Sequence, residues 1–72
     1  MADYHINIFY SEDDGGYIAD IPDLQCCSAF GRTQEEALKE ALEAKDAWLA
    51  SARDNNIDIP APSYRPAIYL VS

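Results

Sequence analysis

Basic residues, histidines and cysteines are all scarce in this sequence, and each shortage narrows the functions open to it. Lysine and arginine together number 5 against 13 acidic residues, so the net charge is −8 over 72 residues. A chain with this balance repels nucleic acids and anionic membrane surfaces and is attracted to basic partners. We therefore expect no direct nucleic-acid binding and no membrane binding.

Only one histidine, His5, and two adjacent cysteines, Cys26 and Cys27, are available as soft metal ligands. A disulfide between neighbouring residues closes a strained ring and joins no distant segments. Functional dithiols prefer a C-x-x-C spacing, which is absent here. We predict that both cysteines are reduced packing residues, as suits a cytoplasmic protein, that His5 is structural or exposed, and that no cofactor is bound.

Long apolar runs are also missing. No stretch approaches the roughly 18 residues of a membrane-spanning helix, and no apolar run follows Met1 as it would in a signal peptide. About half of the residues are apolar and a quarter are charged, which is typical of a folded domain. We predict one domain over residues 1–72. A domain this small is marginally stable alone, so we also expect a homodimer or higher homo-oligomer.

Alternation and turn residues predict an α+β domain of β-β-β-α-β order, an antiparallel sheet packed by one long helix. The first hairpin turns at S-E-D-D-G-G (residues 11–16), where glycine permits positive φ. A proline-containing segment over 57–66 is expected to be extended. The predicted strands are 4–10, 17–21, 26–31 and 67–71.

The helix is expected over residues 34–54. Thr33 and Glu36 form a capping-box pattern at its start, and Asn55 and Asn56 are plausible termination residues. One face is apolar apart from Lys45, and Trp48 on that face is assigned to the core. The members of this face are Ala37, Leu38, Ala41, Leu42, Lys45, Trp48, Leu49 and Ala52; Lys39, Glu40, Glu43, Asp46 and Arg53 form the opposite face.

The last predicted strand is apolar on both faces, which favours a neighbour on each side. As an exposed edge it would invite aggregation. We predict that it mediates self-association through Ala67, Ile68, Tyr69, Leu70 and Val71.

Three blocks resemble the HicB-like antitoxins: G-G-Y-I-A-D-I-P-D-L at residues 15–24, G-R-T-Q-E-E-A-L at 31–38, and I-P-A-P at 59–62. The resemblance covers nearly the whole chain. It implies a partly degraded ribonuclease-H-like fold and a partner toxin, a small basic HicA-like ribonuclease of double-stranded-RNA-binding fold with a catalytic histidine, which the antitoxin neutralises by masking.

The sequence departs from this family in two ways. Many members have a glycine in the loop after Pro-Asp-Leu, where this chain has Gln25 before Cys26-Cys27. Longer members carry a C-terminal DNA-binding domain, whereas this chain stops at Ser72, so operator binding is not predicted.

Candidate partner-binding residues follow from acidity and from aromatic character. Acids would steer a basic partner, while tyrosines would hold it. The predicted set is Glu12, Asp13, Asp14, Glu40 and Glu43 for steering, with Tyr17 and Tyr64 as anchors. A solvated surface is the ordinary alternative for every one of these acids.

Two other functions remain open. A minimal magnesium-dependent nuclease would need metal ligands among Glu12, Asp13, Asp14, Asp20 and Asp23, with activity resting on Asp14, Asp20 and Asp23. Two-metal hydrolysis needs acids that converge from several strands, whereas three of these acids are consecutive in one turn. We therefore expect no metal and no catalytic residue. The second alternative is a homo-oligomeric scaffold without a toxin partner.

Overall fold

The computed structural model describes residues 3–64. Among these residues the chain forms a three-stranded antiparallel sheet, whose strands lie side by side in chain order, followed by a single helix. This arrangement confirms the predicted α+β class, while the predicted fourth strand over 67–71 lies outside the described residues. The elements are β1 (Asn7–Ser11), β2 (Gly16–Asp20), β3 (Ser28–Gly31) and α1 (Gln34–Asp54).

The β1–β2 hairpin turns where the sequence predicts it. Tyr10 lies opposite Tyr17 and Ser11 opposite Gly16 in the ladder. Gly15 adopts φ +69° and its N–H donates to the Ser11 carbonyl at 2.9 Å. Glycine takes this left-handed conformation without steric cost, so the turn closes tightly.

The connection from β2 to β3 differs from the prediction, because β3 begins at Ser28 rather than at residue 26. Two successive turns occupy this region: Leu24 N–H donates to Ile21 O at 3.0 Å, and Cys27 N–H donates to Leu24 O at 3.1 Å. Cys26 has φ 61°, in the left-handed region, which no strand residue adopts. Cys26 is exposed and Cys27 is buried, so the prediction of buried packing holds for Cys27 only.

The helix begins and ends as predicted. Thr33 Oγ1 accepts from Glu36 N–H at 3.1 Å, and Glu36 Oε1 accepts from Arg32 N–H at 3.3 Å. The first bond satisfies a first-turn amide that has no helical partner. The return bond goes to the amide of Arg32, one residue before the cap, whereas a capping box uses the amide of the cap residue itself. At the other end, Asn55 caps the helix and Asn56 takes φ 54°.

Small residues on α1 let the helix lie close to the sheet. Ala37 and Ala41 pack against Ala19 at the centre of the first core cluster. A Cβ atom added to Gly31 would lie 2.2 Å from the backbone nitrogen of Ala37, so only glycine fits there. The apolar stripe predicted for α1 is therefore only partly core, because its alanines are buried while Leu38 and Leu42 are exposed.

A second core cluster lies under the C-terminal half of α1. Ile21, Leu24 and Cys27 are buried there, with Trp48 and Leu49 packed against them. The Trp48 indole N–H donates to the Gln25 carbonyl at 3.0 Å. Trp48 is half-buried, so it borders the core to which the sequence assigns it. No helix within residues 3–64 is long and apolar enough to cross a membrane.

After α1 the chain returns to the N-terminal strand through a segment that we call the return segment, residues 57–64. The Tyr4 hydroxyl donates to Pro60 O at 2.5 Å. The backbone N–H groups of Ser63 and Tyr64 both donate to the Asp23 carboxylate, and the Ser63 hydroxyl donates to it at 2.9 Å. The return segment is therefore held by side chains rather than by a sheet ladder.

Candidate functional site

The acids of the hairpin turn lie apart from other possible metal ligands in the described part of the chain. Glu12, Asp13 and Asp14 are exposed, and Asp14 accepts from the Ser11 hydroxyl at 2.8 Å. Asp23 is engaged by the return segment. Across residues 3–64, no three histidine, cysteine, aspartate or glutamate side chains are grouped to hold a metal ion. The structure therefore does not gather the carboxylates that the nuclease hypothesis requires.

An uncovered apolar surface lies on one flank of α1. Leu38 and Leu42 are 37% and 39% exposed, although they occupy predicted core positions. They line a shallow depression of about 350 Å³ together with Glu35, Lys39, Glu43 and Asp46. We call these six residues the acid-rimmed strip, since three carboxylates and one ammonium surround the two leucines.

The strip is the open half of a longer line along the helix. Leu38, Leu42, Lys45 and Leu49 follow at i, i+4, i+7 and i+11, which places them on one side of α1. Lys45 Nζ lies 3.4 Å from Asp3 Oδ1, and Leu49 packs in the second core cluster together with Tyr4. The residues before β1 thus cover the C-terminal half of the line and leave the N-terminal half open.

The Asp3–Lys45 contact also explains the polar exception in the predicted stripe. The side chain of Lys45 is mostly buried, so its methylene groups pack while its ammonium reaches Asp3. The Tyr4 backbone N–H, followed by the Lys45 ammonium, holds the pKa of the Asp3 carboxyl below its usual value. Burial raises the pKa of the Cys27 thiol, with Lys45 acting in the opposite direction.

The two tyrosines predicted as partner anchors lie in different places. Tyr17 is half-buried against the first core cluster, and its ring stands 5.3 Å from that of Tyr10, edge to face. Tyr10 is 56% exposed and provides an aromatic contact that the sequence pattern did not single out. Tyr64 belongs to the return segment, with its ring 4.7 Å from that of His5. The structure therefore does not bring Tyr17 and Tyr64 into one contact surface.

The acids predicted on the helix are also separated. Glu43 lines the acid-rimmed strip, whereas Glu40 is exposed and does not line it. Glu35 and Asp46, which were not among the predicted partner residues, complete the acidic rim. Their spacing from Leu38 and Leu42 along the helix is the signal that would have identified them.

A second apolar surface lies on the face of the sheet opposite α1. Phe9 pairs with Ile18, and Ile18 pairs with Phe30, so the three side chains form one row across the strands. Phe9 is 50% exposed and Phe30 is 44% exposed. A Cβ atom at Gly16 would lie 2.6 Å from the Phe30 ring, so the ring lies over this glycine. We call Phe9, Ile18 and Phe30 the outer row.

The outer row is defined by the register of three strands, which the sequence pattern of one strand does not predict. Phe9 shares its face with His5 and Asn7, and the pattern of β1 alone makes that face look polar. The hydrogen bond between His5 Nε2 and Asn7 Oδ1, at 2.6 Å, belongs to this polar part and agrees with a structural or exposed histidine. The residues predicted for self-association, Ala67–Val71, lie outside the described residues.

Comparison with known proteins gives the chain a family. Residues 3–68 match the family described as the HicB_like antitoxin of bacterial toxin–antitoxin systems. A Synechocystis sp. protein named UPF0150 protein ssl0259 is 41% identical over 54 residues, covering 75% of this chain and 74% of the relative. UPF0150 protein Ta0767 of Thermoplasma acidophilum is 36% identical over 53 residues, covering 74% and 77%. No solved structure matches the chain significantly. The chain belongs to the HicB-like antitoxin family.

Proposed function

We propose that this protein is the antitoxin of a type II toxin–antitoxin system and that it neutralises a small basic HicA-like mRNA interferase by covering it. The observation that carries the proposal is the acid-rimmed strip, which joins exposed leucines to a carboxylate rim on a chain of net charge −8. Family membership supports an antitoxin role in general.

The chemistry of the expected partner fits this strip. A ribonuclease must present positive charge to the phosphates of its substrate, since these contacts supply most of the affinity for RNA. The carboxylates of Glu35, Glu43 and Asp46 complement such a surface, and burial of Leu38 and Leu42 would hold the complex. Masking in this way requires no catalytic residue and no cofactor, and it would take place in the cytoplasm, where the mRNA is.

The other predicted partner residues take different parts in this proposal. Glu12, Asp13, Asp14 and Glu40 extend the negative field around the strip and would act at the encounter stage. Tyr17 and Tyr64 remain predicted anchors. Because they lie apart, a toxin that contacts the strip through its basic surface would need a second contact region to reach Tyr64.

The test is to examine the genes adjacent to the one that encodes this chain, to co-express with it any neighbour that encodes a small basic protein, and to follow with co-purification and an RNA-cleavage assay. We expect a stable complex in which cleavage is suppressed. Leu38→Ser combined with Leu42→Ser should release the nuclease activity, because both leucines are exposed and their loss removes contact rather than core packing. Ile57→Ser, at another exposed apolar side chain, is the matched control and should still neutralise.

Four outcomes would contradict the proposal. A neighbouring toxin that stays active in the complex would exclude masking. If the double leucine variant neutralises the toxin as well as the unmodified protein does, the toxin binds a surface other than the acid-rimmed strip. RNA cleavage by the pure chain with magnesium, lost on changing Asp14 or Asp20, would favour the nuclease. A chain that self-associates but binds no toxin would favour the scaffold.

A further inference from the structure

We propose that Lys39 is the specificity-determining residue of the acid-rimmed strip, and that the partner bound there presents a carboxylate to it between two cationic side chains. The inference rests on the proposed function, because it describes the toxin surface that the strip accepts. It adds that recognition depends on the order of charges along the strip, and that a basic surface alone is not sufficient.

Lys39 lies within the strip and not at its margin. It lines the depression together with the two exposed leucines and the three acids. Because an α-helix turns by about 100° per residue, Leu42 and Glu43 lie on opposite sides of Lys39 around α1. A partner that contacts both Leu42 and Glu43 therefore also covers Lys39.

The charges of the strip alternate along the helix. Glu35, Lys39 and Glu43 follow one another at intervals of four residues, which places them on successive turns of one side of α1. Four residues correspond to about 6 Å along the helix axis. The order is negative, positive, negative, with Asp46 as a further acid three residues after Glu43. A matching partner surface carries a cation, an anion and a cation at the same spacing.

Stabilisation of the helix itself does not account for Lys39. A glutamate four residues before a lysine can form a favourable pair, and Glu35 has that position. Within residues 3–64, however, the ion pair that forms joins Lys45 to Asp3. The Lys39 side chain is exposed, and its ammonium is paired with neither neighbouring glutamate. It is therefore available to a partner.

The charge of Lys39 becomes important only when a partner covers the strip. In the free protein the ammonium is hydrated. Burial of Leu42 by a partner removes water from the neighbouring Lys39, and a charge left in an interface without a counter-charge is strongly unfavourable. A purely basic partner is attracted at Glu35 and Glu43 but repelled at Lys39. A carboxylate on the partner at this position removes both penalties.

Lys39 also distinguishes the strip from an imitation of RNA. The phosphates of a nucleic acid are all negative, so a surface that only imitated them would carry acids alone and would bind the phosphate sites of many RNA-binding proteins. One ammonium among the acids disfavours every basic protein that lacks a carboxylate at the matching position. Repulsive elements of this kind are a common source of specificity. The strip should therefore select one basic partner among many.

The test compares the binding of Lys39→Glu to two probes, the basic protein that co-purifies with this chain and an amidated oligolysine peptide. The variant is more acidic than the unmodified chain. It should nevertheless raise the dissociation constant for the basic protein about tenfold or more, because it faces the partner's carboxylate with a like charge. It should bind oligolysine more tightly, since that peptide carries no carboxylate. Opposite changes for the two probes are the expected result.

Arg53→Glu is the matched control. It makes the same change of charge at an exposed position of α1 that does not line the strip. It should not weaken binding to the basic protein. Circular dichroism confirms that both variants are folded.

Charge reversal on the partner identifies the carboxylate. When each acid of the basic protein is replaced in turn by lysine, one replacement should weaken binding to the unmodified chain and restore binding to Lys39→Glu. A complex that Lys39→Glu leaves unchanged or strengthens, a loss of binding to both probes, or the absence of any rescuing replacement would overturn this inference and leave the proposed function standing. If the unmodified chain forms no complex with any neighbour-encoded basic protein, the proposed function fails and this inference fails with it.

Discussion

At the scale of single residues, Cys26 shows how a backbone requirement can be met by an unsuitable side chain. Its φ of 61° is left-handed, a conformation that costs an L-residue about 1–2 kcal/mol. The conformation follows from the consecutive turns between Ile21 and Cys27, which close with the Ile21 N–H donating to Cys27 O at 3.0 Å. The loop between β2 and β3 is thus a place where this chain carries backbone strain.

We predict that Cys26→Gly stabilises the protein. Relief of the left-handed strain is offset in part by the greater flexibility of glycine in the unfolded chain, so the net gain should be about 1 kcal/mol or less. Denaturant unfolding at pH 7 measures it. Cys26→Val should have the opposite effect and lower the free energy of unfolding, because a β-branched residue tolerates positive φ poorly. A Gly variant that is less stable than wild type would show that the thiol makes a compensating contact.

Some residue-level features could be predicted from sequence and others could not. Thr33 and Glu36 are three residues apart, and Asn56 directly follows the cap, so both features depend on neighbouring residues and can be predicted from sequence. The left-handed conformation of Cys26 could not be predicted, because its φ is imposed by the hydrogen bonds of the loop that contains it. The Lys45–Asp3 contact joins residues 42 apart in sequence, and no local pattern encodes it.

At the scale of elements, the surface of α1 divides into three faces, whereas the sequence pattern predicts two, one apolar and one charged. Ala37 and Ala41 pack against the sheet, and Trp48 and Leu49 pack in the second core cluster. The flank formed by Leu38 and Leu42 is exposed, and the charged face opposite the core is solvated. The apolar stripe of α1 is wider than its contact with the small sheet, so part of the stripe stays exposed. The sequence predicts that Leu38 and Leu42 belong to the apolar stripe, but it does not predict that they are exposed. Strand β1 presents the converse case, since Phe9 becomes part of an apolar surface only when β2 and β3 supply Ile18 and Phe30.

The contact between α1 and the residues before β1 should make stability depend on pH. The pKa of Asp3 is lowered in the folded state, so its contribution is present above the unfolded value of about 3.9 and is lost as pH falls through the lower folded value. Asp3→Asn should therefore be less stable than wild type at pH 7, with the difference vanishing in acid below the folded pKa.

Thermal unfolding across this pH range measures the difference. Lys45→Met is the matched variant, because it keeps the packed stem and removes the ammonium. Combining it with Asp3→Asn should cost less than the two single effects added together. If the effect of Asp3→Asn is the same at pH 7 and in acid, the Asp3 charge makes no stabilising contact.

At the scale of the whole molecule, the net charge of −8 should govern how fast a basic partner is captured. Exposed charges act over about 8 Å at physiological ionic strength, so steering weakens as salt is added. Replacing Glu12, Asp13 and Asp14 by their amides should slow association with the toxin several-fold and flatten its salt dependence. Dissociation should change little, because these acids lie in the turn and not in the acid-rimmed strip.

Stopped-flow or surface-based kinetics at low and high salt measure both rates. Leu42→Ser should show the reverse behaviour, with faster dissociation and nearly unchanged association. If the association rate changes neither with salt nor with the amide substitutions, the acidity contributes to solubility alone.

The fold class was predictable from sequence because each element is defined locally, whereas the interaction surfaces required the register and packing of several elements at once.

The return segment has a consequence for the order in which the molecule assembles. In the part of the chain that the structure describes, each strand pair joins neighbours in sequence and α1 follows directly, so residues 7–54 can form through short-range contacts that close quickly. The bonds from Tyr4 to Pro60 and from Asp23 to Ser63 and Tyr64 span 40 or more residues. They can form only after the rest is in place, and they can break without disturbing the sheet or the helix. The return segment should therefore be the last part to fold and the first to exchange its amide hydrogens.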